Sequence, residues 1–147
     1  MNINNVVVIG SGTMGSGIAA QLCNANIPVT LLDLKTEISE KAKKRIFDSR
    51  PPLLINRNNI DNIKVGNIEE NFEVVGKADW VVEAVVERIN IKHDIYKKIL
   101  KVRKKESIVS SNTSTIPLKV LSSKMSDEDK KDFCITHFLI LLDTWTY

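Results

Sequence analysis

Three glycines spaced G-x-G-x-x-G, Gly10, Gly12 and Gly15, stand near the start of the chain, and the carboxylate of Asp33 closes the next apolar run. Residues of these types can hold a phosphate-bearing nucleotide. Gly10 permits a tight turn out of a strand, Gly12 lets backbone approach a pyrophosphate, and Gly15 lets a following helix pack close to a sheet. That helix would aim its unpaired N–H groups and the positive end of its dipole at the phosphates. Asp33 ends Val29-Thr30-Leu31-Leu32-Asp33, where a carboxylate can accept hydrogen bonds from both adenosine ribose hydroxyls and would repel a 2′-phosphate. The pattern points to NAD rather than NADP, and Lys35 alone does not make a phosphate clamp.

Further candidates lie where later apolar runs end. Glu87 and Lys92 flank the start of a helical stretch, either as a surface ion pair worth little or as part of a site. Ser111-Asn112-Thr113-Ser114-Thr115 puts small hydrogen-bonding side chains just after a strand, which suits turn and capping chemistry as well as ligand binding. His137 ends an apolar strand and is either a structural histidine or the general base of an alcohol oxidation. His93 sits among charges and reads as a surface residue.

The elements that must position these groups follow from periodicity. Val6 to Ile9, Val29 to Asp33, Ile63 to Val65, the run 78–86, Ile108 to Ser111 and Phe133 to His137 read as strands. Between them, 37–47 has apolar residues at Ile38, Ala42 and Ile46, and 90–105 at Ile91, Ile95 and Ile99 with Tyr96 and Leu100, both amphipathic helices. Pro51 and Pro52 stop the first of these, and the Asn-rich 53–62 reads as irregular. Alternating strands and helices predict a doubly wound Rossmann fold, a mostly parallel sheet with helices on both faces.

With 147 residues, 43% hydrophobic and 27% charged, the chain is expected to be one ordered domain. A net charge of +3 argues against a nucleic-acid partner, the lysines of 97–105 reading as a solvated helix face. The run 138–142 is too short to span a bilayer, and Met1 to Asn5 leads directly into the first strand without a leader. Cys23 and Cys134 fit no metal or redox spacing and read as buried free thiols, which predicts a cytoplasmic location.

Four motifs in order carry a resemblance over about residues 6–138. They are Gly10-Ser11-Gly12-Thr13-Met14-Gly15-Ser16-Gly17-Ile18-Ala19, Ala78-Asp79-Trp80-Val81-Val82-Glu83-Ala84-Val85-Val86-Glu87, Ser111-Asn112-Thr113-Ser114-Thr115-Ile116-Pro117 and Thr136-His137-Phe138. The chain thereby resembles the NAD-binding domain of the L-3-hydroxyacyl-CoA dehydrogenases of β-oxidation, enzymes also found fused to enoyl-CoA hydratases. The resemblance implies NAD contacts from the glycine loop with Thr13 and Met14, and from Asp33, Val85, Val86, Glu87, Lys92 and Ser114. It implies substrate contacts from Asn112 and Ser114, with His137 as the catalytic base on the 3-hydroxyl of an acyl-CoA substrate and Ser114 positioning the same oxygen.

The match breaks after His137. The family continues Phe-Phe-Asn-Pro, whereas this chain reads Phe138-Leu139-Ile140, placing Ile140 where the asparagine stands. The family's glutamate partner of the histidine and its helical dimerisation domain have no counterpart in the sequence. The expected organisation is therefore an NAD-binding domain over 1–138 and a divergent apolar tail over 139–147, with impaired catalysis. A separately encoded C-terminal half, or a purely dinucleotide-binding remnant, is the alternative. Another Rossmann dehydrogenase acting on small hydroxy acids fits the Ser-Asn-Thr-Ser-Thr and Thr-His-Phe motifs less well. The crowded apolar tail predicts self-association.

Overall fold

Val6 and Val8 point to one side of the first strand and Val7 and Ile9 to the other, and all four are fully buried. A strand apolar on both faces needs a covering layer on each. The computed structural model describes residues 2–138, and those layers are present. The strands are β1 (Val6–Ile9), β2 (Val29–Asp33), β3 (Ile63–Asn67), β4 (Trp80–Glu83), β5 (Ile108–Asn112) and β6 (Phe133–Thr136). They form one sheet in the order β3-β2-β1-β4-β5-β6, every pairing parallel. Order reverses between β1 and β4, the crevice where doubly wound sheets bind ligands.

Helices α1 (Thr13–Asn24) and α2 (Thr36–Asp48) cover one face, packing Ile18, Leu22, Ala42 and Ile46 on Val6, Val8, Leu31 and Val82. On the other face, α3 (Ile89–Val102) packs Ile95, Tyr96 and Ile99 against Val7, Ile9, Val81 and Val109. Two short helices, α4 (Leu118–Leu121) and α5 (Asp127–Lys131), bridge β5 to β6. No helix among the described residues is long and apolar enough to cross a membrane.

Several expectations are corrected. The strand in 78–86 spans only Trp80–Glu83, because backbone beyond Glu83 leaves the sheet to form the crevice wall. Residues 57–62, expected to be irregular, form a 3-10 turn whose Asn56 side chain accepts from the Asn58 amide. Ile38 and Ile91 are exposed, and the buried stripes instead carry Ser39 and Lys92. Ser39 reaches the carbonyls of Thr36 and Gly66, and Lys92 finds buried carboxylate, so polar groups occupy the stripes at no loss of hydrogen bonds. Cys23 is buried as expected, but Cys134, on the edge strand, is only half-buried. The predicted tail 139–147 lies outside the described residues.

Candidate active site

At the C-terminal ends of β1 and β2, Gly10 and Gly15 take the structural roles their spacing predicts. Gly10 turns with φ +100°, a conformation side chains rarely tolerate, and a Cβ on Gly15 would overlap the Gly10 carbonyl. Gly12 is different: among the described residues, a Cβ there would meet no atom within 4 Å beyond its chain neighbours. Nothing among the described residues requires glycine at position 12, so the space it leaves open suits a ligand. Gly12 is also the N-cap of α1, and no side chain caps the helix, leaving its first amides directed into that space. These features fit a pyrophosphate.

Asp33 faces the same loop. Its Oδ2 accepts from the Ser11 amide at 2.7 Å and the Ser11 hydroxyl at 2.6 Å, and its Oδ1 accepts from the Leu34 amide at 2.7 Å. From below, Arg45 of α2 donates through Nη2 to the Ser11 carbonyl at 2.8 Å and to Ser16 Oγ at 2.9 Å. Sequence reading singled out neither Ser11 nor Arg45, because neither type is distinctive in a turn or on a helix.

Across the reversal of strand order lies a cavity of about 550 Å³. Its walls include Thr13 and Met14 from α1, Val85 and Glu87 after β4, Asn112 at the end of β5 with Thr113, Ser114 and Thr115 after it, and His137 and Phe138 after β6. Residues far apart in sequence thus meet at one opening. Asn112 Oδ1 accepts from the Phe138 amide at 3.4 Å, tying the ends of β5 and β6 together, and Phe138 stacks on Trp80 with centroids 6.1 Å apart. Ser114 and His137 are exposed to the opening. Among the described residues no carboxylate is paired with the His137 ring.

Not every candidate lies on that wall. Asp33 stands at the β1–β2 end, as an adenosine contact requires of a dinucleotide laid across the sheet. Val86 is exposed beside the wall. Lys92 is fully buried beneath it, and the surface-ion-pair reading of Glu87 and Lys92 is corrected. Lys92 Nζ donates to Glu83 Oε1 at 2.7 Å and lies 3.2 Å from Glu87 Oε2. Glu83 is equally buried and also accepts from the Val85 amide, the Tyr96 hydroxyl and the Ser111 hydroxyl. Glu87 in turn accepts from the hydroxyls of Thr113 and Thr115, the residues on either side of Ser114. Partial burial pushes the Glu87 carboxyl up, but the Thr113 and Thr115 hydroxyls and the Lys92 ammonium outweigh it and hold it below the usual carboxylate value. Burial, then the charge of Glu83, push the Tyr96 hydroxyl far up, so it remains a donor.

Glu83 and Tyr96 were missed in sequence, though a signal exists. Glu83 is the single charge inside Trp80–Val86, and a charge within a buried strand demands a partner. Lys92 shares a helical stripe with Ile95, Tyr96 and Ile99, which brings it to that strand.

The strand order, the open glycine loop and the strand-end carboxylate define a dinucleotide-binding domain of the doubly wound type. A sequence profile for the NAD-binding domain of 3-hydroxyacyl-CoA dehydrogenase matches residues 5–140, and the chain belongs to that family. It is 41% identical over 143 residues to a putative fatty acid oxidation complex trifunctional enzyme of Rickettsia felis, covering 92% of this chain and 20% of that protein. It is 37% identical over 145 residues to a probable 3-hydroxyacyl-CoA dehydrogenase of Deinococcus radiodurans, covering 94% and 42%. The chain therefore spans from about a fifth to two-fifths of the length of these relatives. Among solved structures, the (S)-3-hydroxybutyryl-CoA dehydrogenase of Ralstonia eutropha superposes with a TM-score of 0.82 at 26% identity, over 94% of this chain and half of that one. The 3-hydroxybutyryl-CoA dehydrogenase of Escherichia coli gives the same TM-score at 25% identity, over 94% and 30%. The cofactor of the domain is NAD.

Proposed function

We propose that this domain serves the NAD-dependent oxidation of L-3-hydroxyacyl-CoA to 3-oxoacyl-CoA. The observation that carries the reading is the meeting of Met14, Glu87, Asn112, Ser114 and His137 around one cavity at the reversal of strand order. The glycine loop, with Gly10, Gly12, Thr13, Met14 and Gly15, would hold the pyrophosphate, and Asp33 the adenosine ribose. Val85, Val86, Glu87 and Ser114 would border the nicotinamide half, with Lys92 acting on it through Glu87. NAD supplies the hydride-accepting chemistry when bound. His137 would take the proton from the 3-hydroxyl, while Ser114 and Asn112 orient that oxygen. The substrate is an acyl-CoA in this reading, and the free thiols suit a reducing compartment such as the cytoplasm.

Fluorescence titration of NADH and NADPH into wild type and Asp33→Ala tests the cofactor half of the assignment. Wild type should prefer NADH, and the substitution should abolish the preference. Equal affinity for the two nucleotides in wild type would remove Asp33 from the ribose site. Binding of acetoacetyl-CoA to the NADH-loaded chain, weakened by Ser114→Ala, tests the substrate half, and no saturable binding would refute it.

A further inference from the structure

The carboxylate of Asp33 is already largely in use. A carboxylate offers two oxygens with about four acceptor positions. Oδ2 receives two donors from Ser11, its amide at 2.7 Å and its hydroxyl at 2.6 Å, and is full. Oδ1 receives the Leu34 amide at 2.7 Å and has one position left. A ribose presents two adjacent hydroxyls, so the second can dock only if a present donor lets go. The Ser11 amide lies in backbone held on both sides: the Gly10 amide donates to the Leu32 carbonyl at 2.8 Å, and Arg45 Nη2 at 2.8 Å and Ser16 Oγ at 2.9 Å hold the Ser11 carbonyl. The Ser11 hydroxyl is held by one torsion alone.

We propose that the Ser11 hydroxyl competes with the adenosine ribose for Asp33, which makes Ser11 a residue that sets the affinity of the dinucleotide site. Ser11 is 2% exposed, so its hydroxyl has no ready exchange with water and is held on Asp33 when no ligand is there. An arriving ribose must displace an internal hydrogen bond rather than a water molecule. The site therefore binds adenosine nucleotides more weakly than the same loop would with a residue lacking the hydroxyl. The inference rests on the reading of Asp33 as ribose acceptor, and the test separates the two.

Calorimetric titration of ADP and of 2′,3′-dideoxy-ADP into wild type, Ser11→Ala and Asp33→Ala isolates the ribose hydroxyls. Ser11→Ala is expected to tighten ADP by roughly three- to tenfold, the range of one net hydrogen bond, with dideoxy-ADP unchanged. Asp33→Ala should make the two ligands equal. If Ser11→Ala leaves the ratio of the two affinities at its wild-type value, the competition is refuted while Asp33 keeps its role. If the ratio is one in wild type and both variants, Asp33 accepts no ribose and both readings fall. Equal weakening of both ligands by Ser11→Ala would show a structural brace and also refute the proposal. Ser11→Gly removes the same hydroxyl and replaces Ser11→Ala should that variant fail to fold.

Discussion

Replacing Lys92 by Met puts the buried charge network to its hardest test. The Lys92 and Glu83 side chains are both fully excluded from solvent and meet at 2.7 Å. Removing the ammonium leaves the Glu83 carboxylate uncompensated in the core, a change that costs ~3–5 kcal/mol in comparable sites. Glu83 would keep three neutral donors, the Val85 amide, Tyr96 Oη and Ser111 Oγ, which places the cost at the lower end, ~3 kcal/mol. In a domain of 147 residues this corresponds to a melting temperature lower by roughly 6–12 °C. Urea titration followed by far-UV circular dichroism at pH 7 gives the free energy. The double variant Glu83→Gln with Lys92→Met removes both charges, so its loss should fall short of the sum of the single losses by at least ~1 kcal/mol. A Lys92→Met protein within ~1 kcal/mol of wild type, or strictly additive losses, would refute the view that these charges depend on each other.

The glycine loop separates folding from binding. Gly12→Ala should leave the urea midpoint unchanged and weaken NADH by at least roughly tenfold, since its Cβ meets no non-neighbouring atom of the described residues and would enter the proposed pyrophosphate space, whereas Gly15→Ala should fail to fold or melt far lower. Asp79 accepts from the Asn4 and Asn5 amides and from Lys104, and the Lys104 bond above all holds its carboxyl below the ordinary value. A lowered folded-state pKa contributes stability that is present above the unfolded value and lost as pH falls through the folded one. Wild type should therefore lose stability below about pH 4 more steeply than Asp79→Asn, as acid titrations of the two would show. Burial pushes the Cys23 thiol up to about 11, against a smaller opposing effect of Lys43, so Ellman's reagent at pH 8 should leave Cys23 unmodified until the chain is unfolded. Labelling of Cys23 within seconds in the native state would contradict its burial.

Sequence by itself determined the fold class and the shape of the glycine loop, because both depend on local rules. The turn at Gly10, the close packing at Gly15 and the carboxylate ending β2 belong to one strand–helix–strand unit, where spacing along the chain fixes spacing in space. The strands among the described residues were legible for the same reason, most being short runs that are apolar or open on apolar residues, bounded by turns or helices. Tertiary structure decided what lies between elements. Ile38 and Lys92 show the limit: residue type placed the isoleucine inside and left the lysine between surface and site, and the fold exposes the first and buries the second. Periodicity gives the direction of a stripe only to within a residue, and Glu83, on a strand distant in sequence, was needed to make a buried lysine favourable. The gathering of Glu87, Asn112, Ser114 and His137 is likewise a property of strand order. Neighbours in the sheet, β4, β5 and β6, bring their C-terminal ends side by side, and no spacing along the chain records that.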